Sequence, residues 1–177
     1  MKPKKNLKAL FFAREGDVYS LEIYRLLKLN FKLVKPIWSK TYNEKVDFNN
    51  LEKCDYIFCF RSYFILKKKT LNKAKIAAIN FHPSTPEYRG VGGVNYAIFN
   101  KSKYFGVTAH LMDEKIDHGK IFDVVKFKIN KDYLINDLLE KTHYEQFKQA
   151  KRIIESISSD ENFLKEKIKK NKFSWSK

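Results

Sequence analysis

Four short runs, Leu7–Ala13, Phe31–Trp38, Cys54–Phe60 and Lys75–Phe81, are apolar at neighbouring positions rather than strictly at alternate ones. A strand apolar on both sides needs cover on both sides, which is the situation of parallel strands packed between other layers. Between the first two runs, Asp17 is placed to cap a helix reaching about Leu27, with Val18, Leu21, Tyr24 and Leu27 as its apolar face. Pro36 marks the second run as an edge strand or a strand end. Asn49–Lys53 reads as a short helix. The alternation predicts an α/β fold, with an open, mostly parallel twisted sheet of Rossmann-like type flanked by helices.

The second half has a different texture. Residues 83–93 hold two prolines and three glycines and read as a loop, followed by a short helix over Val94–Phe99. Phe105–Met112 and Ile121–Ile129 read as strands. In the latter, Val125, Phe127 and Ile129 alternate with Lys126 and Lys128, the signature of a half-exposed strand. A long helix follows from Ile135 to about Ile157, with Leu138, Leu139, Phe147, Ala150, Ile153, Ile154 and Ile157 as its stripe. The basic tail, 160–177, fits either a docked helix or a frayed terminus. A length of 177 residues suits one domain spanning residues 1–177.

The start of the chain is basic and then apolar, but Arg14, Glu15 and Asp17 interrupt the apolar run too soon for a signal peptide. No segment approaches the roughly 20 apolar residues of a membrane span. The expected compartment is therefore the cytoplasm, with no membrane partner. Cys54 and Cys59, five apart on one strand, should point to opposite faces as buried, unpaired residues. The net charge of +16 is spread over scattered lysines. That favours solvated side chains, or a field drawing in anionic small molecules, over a nucleic-acid interface.

In open parallel sheets, ligands sit beyond the carboxyl ends of the strands. The fourth run ends on Asn80 and His82, which share one strand face. Imidazole is the usual general base near neutral pH, and a carboxamide N–H can steady a developing oxyanion. Asp113, Glu114, Asp117 and Asp123 are the carboxylates able to orient the imidazole. His110 reads as a packing residue or a local hydrogen-bonding one. A zinc site from His82, His110 and Asp117 lacks metal-type spacing, so no metal is expected.

The segment from Asn80 to Gly90, NFHPSTPEYRG, resembles the N-x-H signature of the folate-dependent formyltransferases. Gly106 to Ile121, GVTAHLMDEKIDHGKI, resembles the same family's G-x-T segment followed by D-x-G-x-I. The likeness is sharp over residues 76–122. It implies a catalytic Asn80, His82 and Asp117, and 10-formyltetrahydrofolate as co-substrate. It further implies a pteridine pocket from the loop Phe60, Arg61, Ser62, Tyr63, Phe64, Ile65 and Leu66, together with Asp113. Ser84, Tyr88, Arg89, Gly90, Gly92 and Gly93 would meet the acceptor. The stretches Glu87–Gly93 and Met112–Asp117 look most like the sugar N-formyltransferase branch, which implies a nucleotide-linked amino sugar as small-molecule partner, with a homodimer open. The alternatives are a glycinamide ribonucleotide formyltransferase and a folate-binding or nucleotide-binding module without turnover. The purine branch carries a Gly/Ser/Asn-rich phosphate loop that residues 13–20 lack. The initiator-tRNA branch is disfavoured by length, since it requires a further domain.

Overall fold

The computed structural model describes residues 5–176. The elements run β1 (Lys5–Arg14), α1 (Val18–Asn30), β2 (Phe31–Ser39), β3 (Cys54–Phe60), α2 (Lys68–Leu71) and β4 (Ala74–His82). They continue through α3 (Gly93–Phe99), β5 (Tyr104–Leu111), β6 (Ile121–Lys128), α4 (Ile135–Ser159) and α5 (Phe163–Lys170). One six-stranded sheet has the order β2-β1-β3-β4-β5-β6. The pairings β1–β2, β1–β3 and β3–β4 are parallel, whereas β4–β5 and β5–β6 are antiparallel. β2 is an edge strand, where Pro36 costs no interior ladder bond.

One face of the sheet is covered by α1, α4 and α5. Phe11, Phe31, Phe58 and Phe81 lie there with Ile23, Leu27, Ile153, Ile154 and Ile157, all essentially inaccessible to water. Burying each such ring or branched chain contributes roughly 1.5–3 kcal/mol. Asp17 caps α1 through Oδ2, which accepts from both the N–H and the hydroxyl of Ser20 at 2.7 Å. That double bond lets Ser20 go under the sheet and turns the helix accordingly. Its buried face is Ser20, Ile23 and Leu27, while Val18 is 71% exposed and Leu21 42%. The stripe expected through Val18 and Leu21 is thus rotated from the real one.

The other face packs Leu10, Phe12, Ile57 and Cys59 against Leu66, Leu71, Phe48 and Leu51. Much of this cover comes from the β2–β3 connection rather than a helix. Residues 49–53 form no helix, because Leu51 N–H closes a turn on the Phe48 carbonyl and Lys73 Nζ ties down the Asn49 carbonyl 2.9 Å away. Cys54 and Cys59 are buried and unpaired, but both lie on this same face. A register irregularity between Cys54 and Tyr56 shifts the alternation by one and undoes the expected opposition.

α4 crosses behind β4 and β5. Gln146 is buried on its apolar stripe, and its amide donates to the Phe81 carbonyl, between the two candidate site residues of β4. Gln149 donates to Asp123 of β6 at 3.0 Å, and Lys167 of α5 reaches the same carboxylate at 3.0 Å. Burial raises the Asp123 carboxyl, but bonds from Arg152, Gln149 and Lys167 outweigh it and hold the group below its ordinary value. The tail is docked: Trp175 Nε1 donates to the Gly119 carbonyl at 2.7 Å and Ser176 N–H to the Pro86 carbonyl at 3.2 Å.

Candidate active site

β4 is the one strand with a parallel neighbour on one side and an antiparallel one on the other. Its end therefore lies beside the open crevice beyond β3 and beside β5, whose last residue, Leu111, pairs with Ile79 and leads into the β5–β6 connection. Antiparallel register sets Asn80 directly opposite His110 and His82 opposite Thr108. All four share the face away from the helix-covered core, since Phe81 and Ala109 occupy the other.

Asp117 reaches this cluster from the β5–β6 connection. Its backbone is left-handed, with φ 45°, and two residues on Gly119 passes against β5 so closely that a Cβ would stand 1.8 Å from the Leu111 carbonyl. Only glycine fits that approach. The D-x-G pattern is thus a device for turning Asp117 inward. Its Oδ1 accepts from Asn80 Nδ2 at 3.2 Å, and its Oδ2 lies 3.4 Å from His82 Nδ1. Burial raises the Asp117 carboxyl, but the imidazoles of His110 and His82 and the Gly90 N–H bring it below its ordinary value. It is a carboxylate at neutral pH.

The tautomers follow from the neighbours. A backbone carbonyl can only accept, so His110 Nδ1, 2.8 Å from the Leu111 carbonyl, carries a hydrogen. Its Nε2 then accepts from Asn80 Nδ2 at 3.1 Å. By the same reasoning His82 Nε2, 3.2 Å from the Tyr88 carbonyl, is protonated. Burial lowers the His82 pKa against the pull of Asp117, leaving the ring neutral with its Nδ1 lone pair toward the carboxylate. Two acceptors, His82 Nδ1 and Asp117 Oδ2, stand face to face with no hydrogen between them. Asn80 Nδ2 faces two neighbouring acceptors, His110 Nε2 and Asp117 Oδ1, which themselves lie 3.4 Å apart.

His110 and Trp175 are members of this cluster that sequence reasoning left outside it. The Trp175 ring meets His110 edge-on at 5.0 Å and His82 at 5.8 Å. The β4–β5 register was the only signal for His110. For Trp175 there was none beyond an aromatic residue in a basic tail.

The cluster opens into a cavity of about 1440 Å³. Arg61, Ser62, Tyr63, Phe64, Ile65 and Leu66 line it, as do Asp113, Ser84, Gly90, Gly92 and Gly93. Gly90 and Gly92 have φ of 82° and 86°. Three expected contacts are absent from its walls. Phe60 is fully buried in the helix-side core, because alternation from Cys59 turns it away. Tyr88 packs on Phe105, and its hydroxyl bonds Ser102 Oγ at 2.7 Å; only its carbonyl serves the site. Arg89 is exposed outside the cavity. Cys59 lines the cavity, but burial, followed by the Asp117 charge, pushes its thiol up to about 12, so it is no nucleophile. Among the described residues no group of His, Cys, Asp or Glu is arranged as a metal site, and no helix is long and apolar enough to cross a membrane.

Residues 32–154 match the formyl transferase family. The chain belongs to that family. Within it, this formyl transferase chain is 29% identical over 120 residues to a methionyl-tRNA formyltransferase of Finegoldia magna, covering 66% of this chain and 38% of that one. The chain spans well under half the length of this curated relative. The N-formyltransferase from Helicobacter canadensis, solved with folinic acid and dTDP-3-aminofucose, superposes with a TM-score of 0.68 at 23% identity, covering 87% of this chain and 64% of that one. The phosphoribosylglycinamide formyltransferase from Anaplasma phagocytophilum superposes with a TM-score of 0.72 at 14% identity, covering 88% of each chain. Those two likenesses establish the formyltransferase fold.

Proposed function

We propose that this formyl transferase moves the formyl group of 10-formyltetrahydrofolate to a primary amine at the Asn80–His82–Asp117 cluster, and that the acceptor is a nucleotide-linked amino sugar. The observation that carries the amine reading is the approach of His82 Nδ1 to Asp117 Oδ2, 3.4 Å apart. A neutral amine offers two hydrogens to such a pair while its lone pair stays free to attack.

The amine nitrogen attacks the formyl carbon. His82 Nδ1 takes one amine proton as the C–N bond forms, and the resulting imidazolium is held by Asp117. One Asn80 N–H turns from His110 to the developing oxyanion. The bond from the formyl carbon to folate N10 then breaks, and His82 returns its proton to that nitrogen. The products are the formamide and tetrahydrofolate, with every atom accounted for. The loop from Arg61 to Leu66 supplies the apolar walls suited to a flat pteridine.

The sugar acceptor rests on the likeness of residues 87–93 and 112–117 to that branch, with dTDP-3-aminofucose on the Helicobacter relative as an analogue. A second reading, an aminoacyl-tRNA acceptor, is favoured by the methionyl-tRNA formyltransferase relative and the net charge of +16. Incubation with 10-formyltetrahydrofolate and a panel of amino-sugar nucleotides, methionyl-tRNA and glycinamide ribonucleotide, read by mass spectrometry for an added formyl group, decides between them. Formylation of none of these amines defeats the transferase reading.

A further inference from the structure

Away from the reacting cluster, the same cavity is walled by a group of nitrogen donors that the transfer step itself does not use. Arg14 ends β1, Arg61 follows β3 and His143 projects from α4, and all three line the cavity. The Arg61 side chain is only 9% exposed. Its Nε and Nη1 have no hydrogen-bond partner, and neither has Arg14 Nε. Arg61 Nε lies 3.2 Å from Asp17 Oδ1, an ion pair without hydrogen-bond alignment, because the other Asp17 oxygen is committed to capping α1. The Arg14 guanidinium lies over the Tyr63 ring, 4.2 Å from its centre, and Tyr63 packs on Tyr42. Glu15, next to Arg14 in the chain, pairs outward with Lys40 at 3.5 Å.

Two guanidiniums and one carboxylate leave a net positive charge in a half-buried wall. Unpaired buried donors cost free energy, and like charges held together cost more. The Arg61 backbone is itself left-handed, with φ 55°, an arrangement a non-glycine residue adopts only when its surroundings impose it. His143 adds an imidazole with no hydrogen bond among the described residues. Burial, then the charges of Arg61 and Arg14, drive its pKa down to about 4, so this ring registers the local positive field. An anion seated among the three would satisfy the free N–H groups, offset the repulsion and accept a proton bond from the ring.

We infer that Arg14, Arg61 and His143 form an anion subsite that holds a phosphate or carboxylate group of a co-substrate while the reacting atoms lie at Asn80, His82 and Asp117. This rests on the transferase reading for its purpose but not for its existence. The anion has two sources with the same chemistry, the phosphate of the acceptor and the glutamate carboxylates of the folate tail.

Binding separates them without turnover. Inorganic pyrophosphate serves as the phosphate probe. The carboxylate probe is 5-formyltetrahydrofolate with one or with five γ-linked glutamates. Calorimetry is run on the full chain and on the Arg14→Gln and Arg61→Gln variants. Each substitution is expected to weaken one probe about tenfold or more, the loss of a charge-assisted bond. Selective loss for pyrophosphate assigns the subsite to the acceptor, and selective loss of the five-glutamate advantage assigns it to folate. Unchanged affinity for both probes in both variants overturns the inference. Should a variant not fold, the unsubstituted protein still decides. The His143 ring proton, assigned by its loss in His143→Gln, must titrate at higher pH when a saturating probe is present, and an unmoved titration with either probe overturns the inference. Unchanged probe affinity in both variants, with transfer intact in the unsubstituted protein, defeats this inference alone. An intact subsite without transfer to any amine defeats the functional reading alone.

Discussion

Asn80 and His110 face each other across the β4–β5 ladder with 3.1 Å between Nδ2 and Nε2. With Asp117 Oδ1 also 3.2 Å from the same nitrogen, the orientation of the carboxamide is fixed, because a carboxylate can only accept. The resting site is thus held by its own hydrogen bonds, and a substrate oxygen must displace His110 to reach an Asn80 hydrogen.

His82→Ala and Asp117→Asn should each lower formyl transfer by about 10²–10⁴-fold, the range for removing a general base or its orienting group. Both side chains are largely buried, yet each change is small and leaves the fold standing. Single-turnover transfer rates alongside circular dichroism check this. Full activity in either variant removes the assigned role.

Burial holds His82 below 6.5 and His143 down at about 4. In the unfolded chain both rings take up a proton near 6.5, so the unfolded state binds more protons as acid is added. This contribution to stability is complete above 6.5 and is lost as pH falls, for His143 down through about 4. Urea midpoints should drop between pH 7 and pH 4.5, and His143→Gln should flatten that dependence. The rate should fall on an acid limb whose apparent pKa lies below 6.5, as His82 Nδ1 becomes protonated.

Trp175→Phe keeps the ring against His110 and removes the bond to the Gly119 carbonyl. One neutral hydrogen bond is worth about 1 kcal/mol, or roughly fivefold. The loss should fall on kcat, with folate affinity unchanged, because Trp175 acts through the Asp117 loop. A change in KM alone would show it to be a binding residue instead.

Gly119→Ala places a methyl 1.8 Å from the Leu111 carbonyl, and backbone on both sides leaves no flexible atom to yield. The loop must move, and Asp117 with it. Transfer is expected to fall at least 10²-fold, since displacements near 1 Å carry that cost. Near-normal turnover would mean that the position of Asp117 is not limiting.

The parallel half of the sheet was readable because β1, β3 and β4 are apolar on both faces, and Pro36 correctly marked an edge. The register irregularity near Cys54 and the burial of Ser20 at the start of α1 are tertiary matters that periodicity does not carry, so the cysteine faces and the α1 stripe came out rotated. Asn80, His82 and Asp117 stood out through motif spacing. His110 did not, because a histidine in mid-strand looks like packing until strand pairing is known. Trp175 was further still from view, since its place depends on where 55 intervening residues carry the chain after Gly119.

Pairing alternates with a period of two, so a single inserted residue between Gly106 and His110 would present Ala109 to the crevice and bury the imidazole against α4. The connections over residues 40–53 and 83–92 carry no such parity. Insertions and deletions that change ligand preference should therefore collect in those two connections, while strands β4 and β5 keep their count.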